Sequence, residues 1–212
     1  MFIIDFDNTL FDTPGLRSAM KKVFFEYGIS EEDFKYSENL AVHGAEGNHF
    51  DYTLELHLQI LREKGYDLPD HEVIPLITSQ LDNNYVYDDT ISFLEELKKQ
   101  NRRMTLLTAG NEKFQLMKIH SVKIEDYFDE IICVRGKKEE YVESVYTPHE
   151  KIFFINDKLK ENIDVKNKRG DICVITKRNP LRNSKEELEN SGIPYFETLT
   201  EILNYINQYG QE

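Results

Sequence analysis

Short apolar runs that stop at polar residues recur along this chain and restrict its fold more than any other feature. Phe2 to Ile4 ends at Asp5, Arg103 to Leu107 at Thr108, and Lys151 to Ile155 at Asn156-Asp157, while further runs cover Ile131 to Val134 and Ile172 to Ile175. Uninterrupted runs of this length suit strands covered on both faces. From Asp88 onward they alternate with helical patterns, through Ile91 to Leu97, Phe114 to Ile119, Tyr141 to Val145, Ser184 to Asn190 and Leu199 to Tyr205. Repeated strand-helix units build a parallel sheet by right-handed crossovers, and such sheets collect ligands at the carboxyl ends of their strands. Tyr195-Phe196 reads as a short edge strand.

Between the first and second strands lies a stretch of another kind. After the turn signal Thr13-Pro14-Gly15, helical patterns run from Leu16 to Tyr27, Glu31 to Val42, Phe50 to Lys64 and His71 to Asn83, and nothing before Tyr87 resembles a strand. The expected fold is α/β. A parallel, Rossmann-like sheet core with helices on both faces takes residues 1–13 and 87–212, and residues 14–86 are inserted into it as an α-helical domain. Leu54, His57, Leu58 and Leu61 share one face of the third insert helix. The polar loop from His43 to His49 reads as a plain surface connection, with a loop that dips into a site as the alternative. A metal site from His43 and His49 alone lacks further ligands nearby.

With 40% hydrophobic and 31% charged residues in 212, the chain has the balance of a globular protein rather than a disordered one. A net charge of -13 opposes general affinity for nucleic acid polymers or for an anionic membrane, so an anionic substrate needs a local basic pocket or a metal. Cys133 and Cys173 fall inside apolar runs and are expected to be reduced core residues. The absence of a leader pattern and of a long apolar span leads to a cytoplasmic expectation. The basic clusters Lys166 to Arg169 and Lys177 to Arg182 are expected to be solvated surface.

Asp5 and Asp7 would project together from the end of the first strand, with Phe6 turned away between them. Two carboxylates in one small volume call for a cation or a shared proton. Asp-x-Asp-Asn-Thr is also what a solvated turn or a helix N-cap looks like. The other strand ends favour chemistry: Thr108, a nearby Lys137 or Lys138, and Asp157 with a following acid complete a set for metal-assisted phosphoryl transfer. Asp5 and Asp157 would hold a hard divalent cation such as Mg2+ through oxygen. The lysine would offset charge on nucleophile and phosphate, and Thr108 with the amides of Ala109 and Gly110 would bind phosphate oxygens.

These residues resemble the motifs of the haloacid dehalogenase superfamily, phosphatase branch. Asp5-Phe6-Asp7-Asn8-Thr9-Leu10 is similar to the family's first motif, Leu106-Leu107-Thr108-Ala109-Gly110 to its second, and Ile155-Asn156-Asp157 with Glu161 to its fourth. The resemblance implies a helical cap of the first cap class at residues 14–86. It also implies an aspartyl-phosphate mechanism with Mg2+, in which Asp5 attacks phosphorus and Asp7 protonates the leaving oxygen and then activates water. Catalytic roles fall to Asp5, Asp7, Thr108 and Lys138. Substrate contacts fall to Thr108, Ala109, Gly110, Lys138, Lys137, His43 and His49, and metal ligation to Asp5, Asp7, Asp157 and Glu161. Lys138 is preferred to Lys137 because Tyr141 and Val142 follow it at helical core spacing, and Asp164 is a second choice for the trailing acid. The expected partner is a small phosphorylated metabolite, with no nucleic acid polymer and no membrane; oligomeric state is open. Because Asn156 stands where glycine or an acid is common, a catalytically weak module that binds a phosphorylated ligand is the alternative, as is transfer to an acceptor other than water.

Overall fold

In the computed structural model, residues 1–44 and 51–209 are described. The apolar runs form the strands β1 (Phe2–Ile4), β2 (Met104–Ala109), β3 (Glu130–Val134), β4 (Phe153–Asn156), β5 (Cys173–Lys177) and β6 (Tyr195–Phe196). They make one sheet in the order β3-β2-β1-β4-β5-β6. β1 pairs in parallel with β2 and β4, β4 with β5 and β5 with β6. Ile3 lies opposite Thr105 on one side and Phe154 on the other, so the strand that carries Asp5 is at the centre.

The chain divides into two compact units. The first comprises Met1–Asp12, Val86–Thr108 and Ile124–Glu212. In it, α5 (Thr90–Lys98), α7 (Lys138–Ser144), α8 (Leu159–Lys168), α9 (Lys185–Ser191) and α10 (Leu199–Tyr209) accompany the sheet. Because side chains alternate along a strand, Ile3, Phe154 and Val174 enter one cluster with Val142 of α7, Leu159 and Val165 of α8 and Leu188 of α9. On the alternate positions, the rings of Phe2 and Phe153 stack at 5.5 Å. A capping box at Ser184, with Glu187 accepting from its amide at 2.8 Å, fixes the start of α9.

The second unit comprises Thr13–Tyr85 and Ala109–Lys123. It holds α1 (Thr13–Glu26), α2 (Glu31–His43), α3 (Leu54–Glu63), α4 (Asp70–Thr78), a 3-10 turn at Ser79–Asp82 and α6 (Glu112–Val122). The sequence places residues 109–123 with the sheet; by contact they group with the helices of the insert instead. His57 of α3 is buried at 1% exposure, against the rings of Phe24 and Phe34. Ser37 Oγ lies 2.9 Å from its Nε2 and Tyr52 OH 3.1 Å from its Nδ1. Burial, with Arg17 nearby, lowers its pKa to about 4.

The cysteines depart from expectation. Neither is in a disulfide, as expected, but both are only half-buried, Cys133 because β3 is an edge strand whose residues are all half-exposed and Cys173 because it opens β5. No helix among the described residues is long and apolar enough to cross a membrane.

Candidate active site

The stretch that the sequence leaves open between a turn and a site folds as a turn at the end of β1. Asp5 N donates to Ile155 O at 2.9 Å, and then the carbonyl of Phe6 accepts from the amides of Thr9, Leu10 and Phe11 at 3.2, 2.9 and 3.0 Å. Asn8 takes a left-handed conformation, φ 62°, which asparagine adopts more readily than most residues. Phe6 is fully buried and packs on Phe11, with centroids 4.8 Å apart. With Phe6 anchored in the core, the carboxylates on either side of it belong to the strand's polar end.

Asp5 is 2% exposed. Thr9 Oγ1 donates to its Oδ2 at 2.8 Å and Lys138 Nζ to its Oδ1 at 2.5 Å. Lys138, the first residue of α7, is itself 3% exposed and also meets Glu161 Oε2 at 3.1 Å and Asn156 Oδ1 at 3.3 Å. Burial alone would lower the lysine's pKa, but the Asp5 and Glu161 carboxylates outweigh it and hold the ammonium charged. Burial pushes Asp5 up, and Lys138 opposes that shift. Glu161 goes the other way: burial works against its ionised form, yet Lys138 and Lys158 bring it down to about 2. Lys158 Nζ meets Glu161 Oε1 at 2.9 Å and Asn156 Nδ2 donates to Oε2 at 3.1 Å. Glu161 thereby anchors the lysine, and both its oxygens are taken. Asn156, the departure from the usual fourth motif, is a member of this same network.

Asp157 is 1% exposed. Asn179 Nδ2 donates to its Oδ2 at 3.1 Å, Arg182 lies 3.2 Å from the same oxygen, and Asn183 Nδ2 donates to its main-chain carbonyl at 2.9 Å. Its Oδ1 is buried and has no partner. Burial and the nearby Asp5 charge raise its pKa to about 6, against the pull of Arg182. Among the described residues no three His, Cys, Asp or Glu side chains are gathered into a metal cluster. The donors that suit a hard divalent cation are the Asp5 and Asp157 carboxylates, and an ion of that kind would satisfy the orphaned Asp157 oxygen.

Thr108, near the end of β2, is 1% exposed, and its hydroxyl also has no partner. Ala109 accepts from Gln115 Nε2 at 2.9 Å, and Gly110 has φ 131°, a conformation other residues rarely adopt. Lys137 is exposed and reaches no closer than 3.8 Å to Glu139. Asp7 is half-buried, His43 is exposed at the end of α2, and Asp164 is half-buried on α8. His49 lies outside the described residues.

One expectation holds only in part. Of the cluster from Lys177 to Arg182, Pro180, Leu181 and Arg182 are exposed, but Lys177 is 6% exposed and Asn179 8%. Lys177 Nζ donates to Asn8 O at 3.4 Å and sits 3.8 Å from the Tyr87 ring centroid, beside a cavity of about 500 Å³. Burial lowers its pKa, with Asp89 opposing. The segment follows β5 at the carboxyl edge, and that position was the available signal for its role.

The profile of the haloacid dehalogenase-like hydrolases matches residues 2–140. Among curated proteins none matches the chain. Similar solved structures include a candidate HAD-hydrolase, YfnB from Bacillus subtilis, bound to magnesium (18% identity, TM-score 0.64, 97% of each chain). A candidate beta-phosphoglucomutase from Thermotoga maritima has 19% identity and TM-score 0.67, with 98% of each chain covered. The L-2-haloacid dehalogenase of Xanthobacter autotrophicus, with chloropropionic acid covalently bound, has 18% identity and TM-score 0.62, with 97% of each covered. At these identities the structures speak for the fold, and the profile, spanning well over half of the sequence, makes the chain a member of the haloacid dehalogenase-like hydrolase family.

Proposed function

We propose that this chain is a Mg2+-dependent phosphatase of small phosphomonoesters that works through an aspartyl-phosphate. The observation that supports it is the buried Asp5 carboxylate, oriented by Lys138 and Thr9, in electrostatic reach of an Asp157 whose Oδ1 lacks a partner.

Asp5 attacks phosphorus and forms the new P–O bond while the bond to the ester oxygen breaks. Asp7, two residues on, delivers a proton to that oxygen, then takes one from the water that attacks the phosphoryl group and frees Asp5. Lys138 favours the ionised form of the nucleophile against the effect of burial and faces the charge that develops on the phosphoryl oxygens. Thr108 offers its unpartnered hydroxyl to one of those oxygens. Asp5, Asp7 and Asp157 are the residues to hold Mg2+, which when bound would neutralise the carboxylates and polarise the phosphoryl group. Glu161, paired with Lys138 and Lys158, stands beside that set and holds the lysine in place.

Asp7 also favours phosphate over carbon-halogen chemistry, since a displacement at carbon needs no acid for a halide leaving group. Asn156, the motive for the binding-only alternative, accepts from Lys138 at 3.3 Å and so has a place in the site. Residues 14–86 would act as the cap that selects the substrate.

The test is phosphate release from nucleotides, sugar phosphates, phosphoglycolate and an aryl phosphate, with Mg2+ and with chelator. Metal-dependent release is expected, and Asp5→Asn should lower it by at least about a thousandfold with the circular dichroism spectrum unchanged. An active, metal-dependent Asp5→Asn protein would overturn the mechanism.

A further inference from the structure

One short segment, the loop between β5 and α9, treats the two oxygens of Asp157 differently. Asn179 and Arg182 both address Oδ2, at 3.1 and 3.2 Å, while Oδ1 is left buried and unpartnered. Asn183 fixes the Asp157 main chain through its carbonyl. The two asparagines are built in. Asn179 Oδ1 accepts from Leu181 N at 3.1 Å, which leaves its amide group facing Asp157, and its main-chain carbonyl accepts from Arg182 N at 3.0 Å and Asn183 N at 3.1 Å. Both are under a tenth exposed. Arg182 differs, with its side chain 38% exposed, so its guanidinium reaches Asp157 from the solvent side and can leave without opening the core.

We infer that Arg182 is an internal counter-ion which competes with the divalent cation for Asp157, while Asn179 and Asn183 aim the carboxylate's free oxygen at that cation. The loop 177–183 is then the element that sets metal affinity. This rests on the metal-dependent reading above. The chemistry is simple: one carboxylate cannot be shared at full strength by a guanidinium on Oδ2 and a divalent ion on Oδ1, since the two like charges would lie only a few ångströms apart. The asparagines are neutral donors and repel nothing, and removing such partners of a ligand commonly costs about 10–100-fold in metal affinity.

The two kinds of residue therefore have opposite signs. In Mn2+ binding followed by electron paramagnetic resonance on the full chain without substrate, Arg182→Gln should bind about tenfold more tightly than the parent. Arg182→Lys, which keeps the charge, should stay within about threefold. Asn183→Ala should bind about tenfold or more weakly, and Asn183→Ser gives the same reading if the alanine variant does not fold. General loosening of the site would weaken every variant, so tightening by Arg182→Gln is not a structural side effect. If the parent binds Mn2+ and Arg182→Gln binds no more tightly, the inference is overturned while the metal reading stands. A parent that binds no Mn2+ overturns both.

Discussion

Lys138 faces Asp5 at 2.5 Å and Glu161 at 3.1 Å with 3% of its surface exposed, so its charge is matched by carboxylates rather than by water. Removing one partner from a buried ionic cluster leaves the others uncompensated. Lys138→Met is therefore expected to lower unfolding stability by about 3–5 kcal/mol, read from urea titration at pH 7; a loss below about 1 kcal/mol would show that the carboxylates find other relief. The sequence carried part of this. Tyr141 and Val142 at helical spacing after Lys138 set the helix register, and register decides which of two adjacent lysines turns inward. It did not carry the direction of Glu161, because spacing along a helix gives a face, whereas the partner is decided by which charge stands there. Asn179 and Asn183 were hidden for a related reason: polar residues in a loop after a strand are ordinary, and only the tertiary position of Asp157 gives them a target.

At the scale of elements, α3 shows how a polar residue can belong to a core. His57 has both ring nitrogens engaged and a pKa of about 4, below the usual 6.5. Its folded-state pKa is depressed, so the unfolded chain takes up a proton that the folded one refuses. The stability it contributes is complete above pH 6.5 and is lost as pH falls toward 4. The parent should lose roughly 2 kcal/mol more than His57→Gln between pH 7 and pH 5 in urea unfolding; equal losses would mean that the ring is protonated in place. The helical face of Leu54, His57, Leu58 and Leu61 made this position legible as core. Strands were legible too, since a strand covered on both faces has no polar alternation to disguise it. α8 was not, because among its ten residues only Leu159, Asn162 and Val165 are buried and the rest reads as charged loop.

Over the whole molecule, a net charge of -13 means that acidic groups repel one another on average. Exposed ion pairs such as Lys99 with Glu96 return little of this. Raising NaCl from about 0.01 to 0.15 M shortens the screening length from about 30 to about 8 Å, so Tm should rise. A fall would show that favourable pairs outweigh the repulsion. The alternation of strands and helices made the sheet and its insert readable, while the grouping of residues 109–123 with the helical unit was not, because chain order says nothing about which neighbour a helix packs on. The central position of β1 has a consequence for biosynthesis. Its parallel neighbours start at Met104 and Phe153, so the strand that leads into Asp5 leaves the ribosome long before either flank exists. The acidic end of that strand stays without Lys138 and Asp157 until both have been translated, so the candidate site cannot assemble before residue 157 has been made.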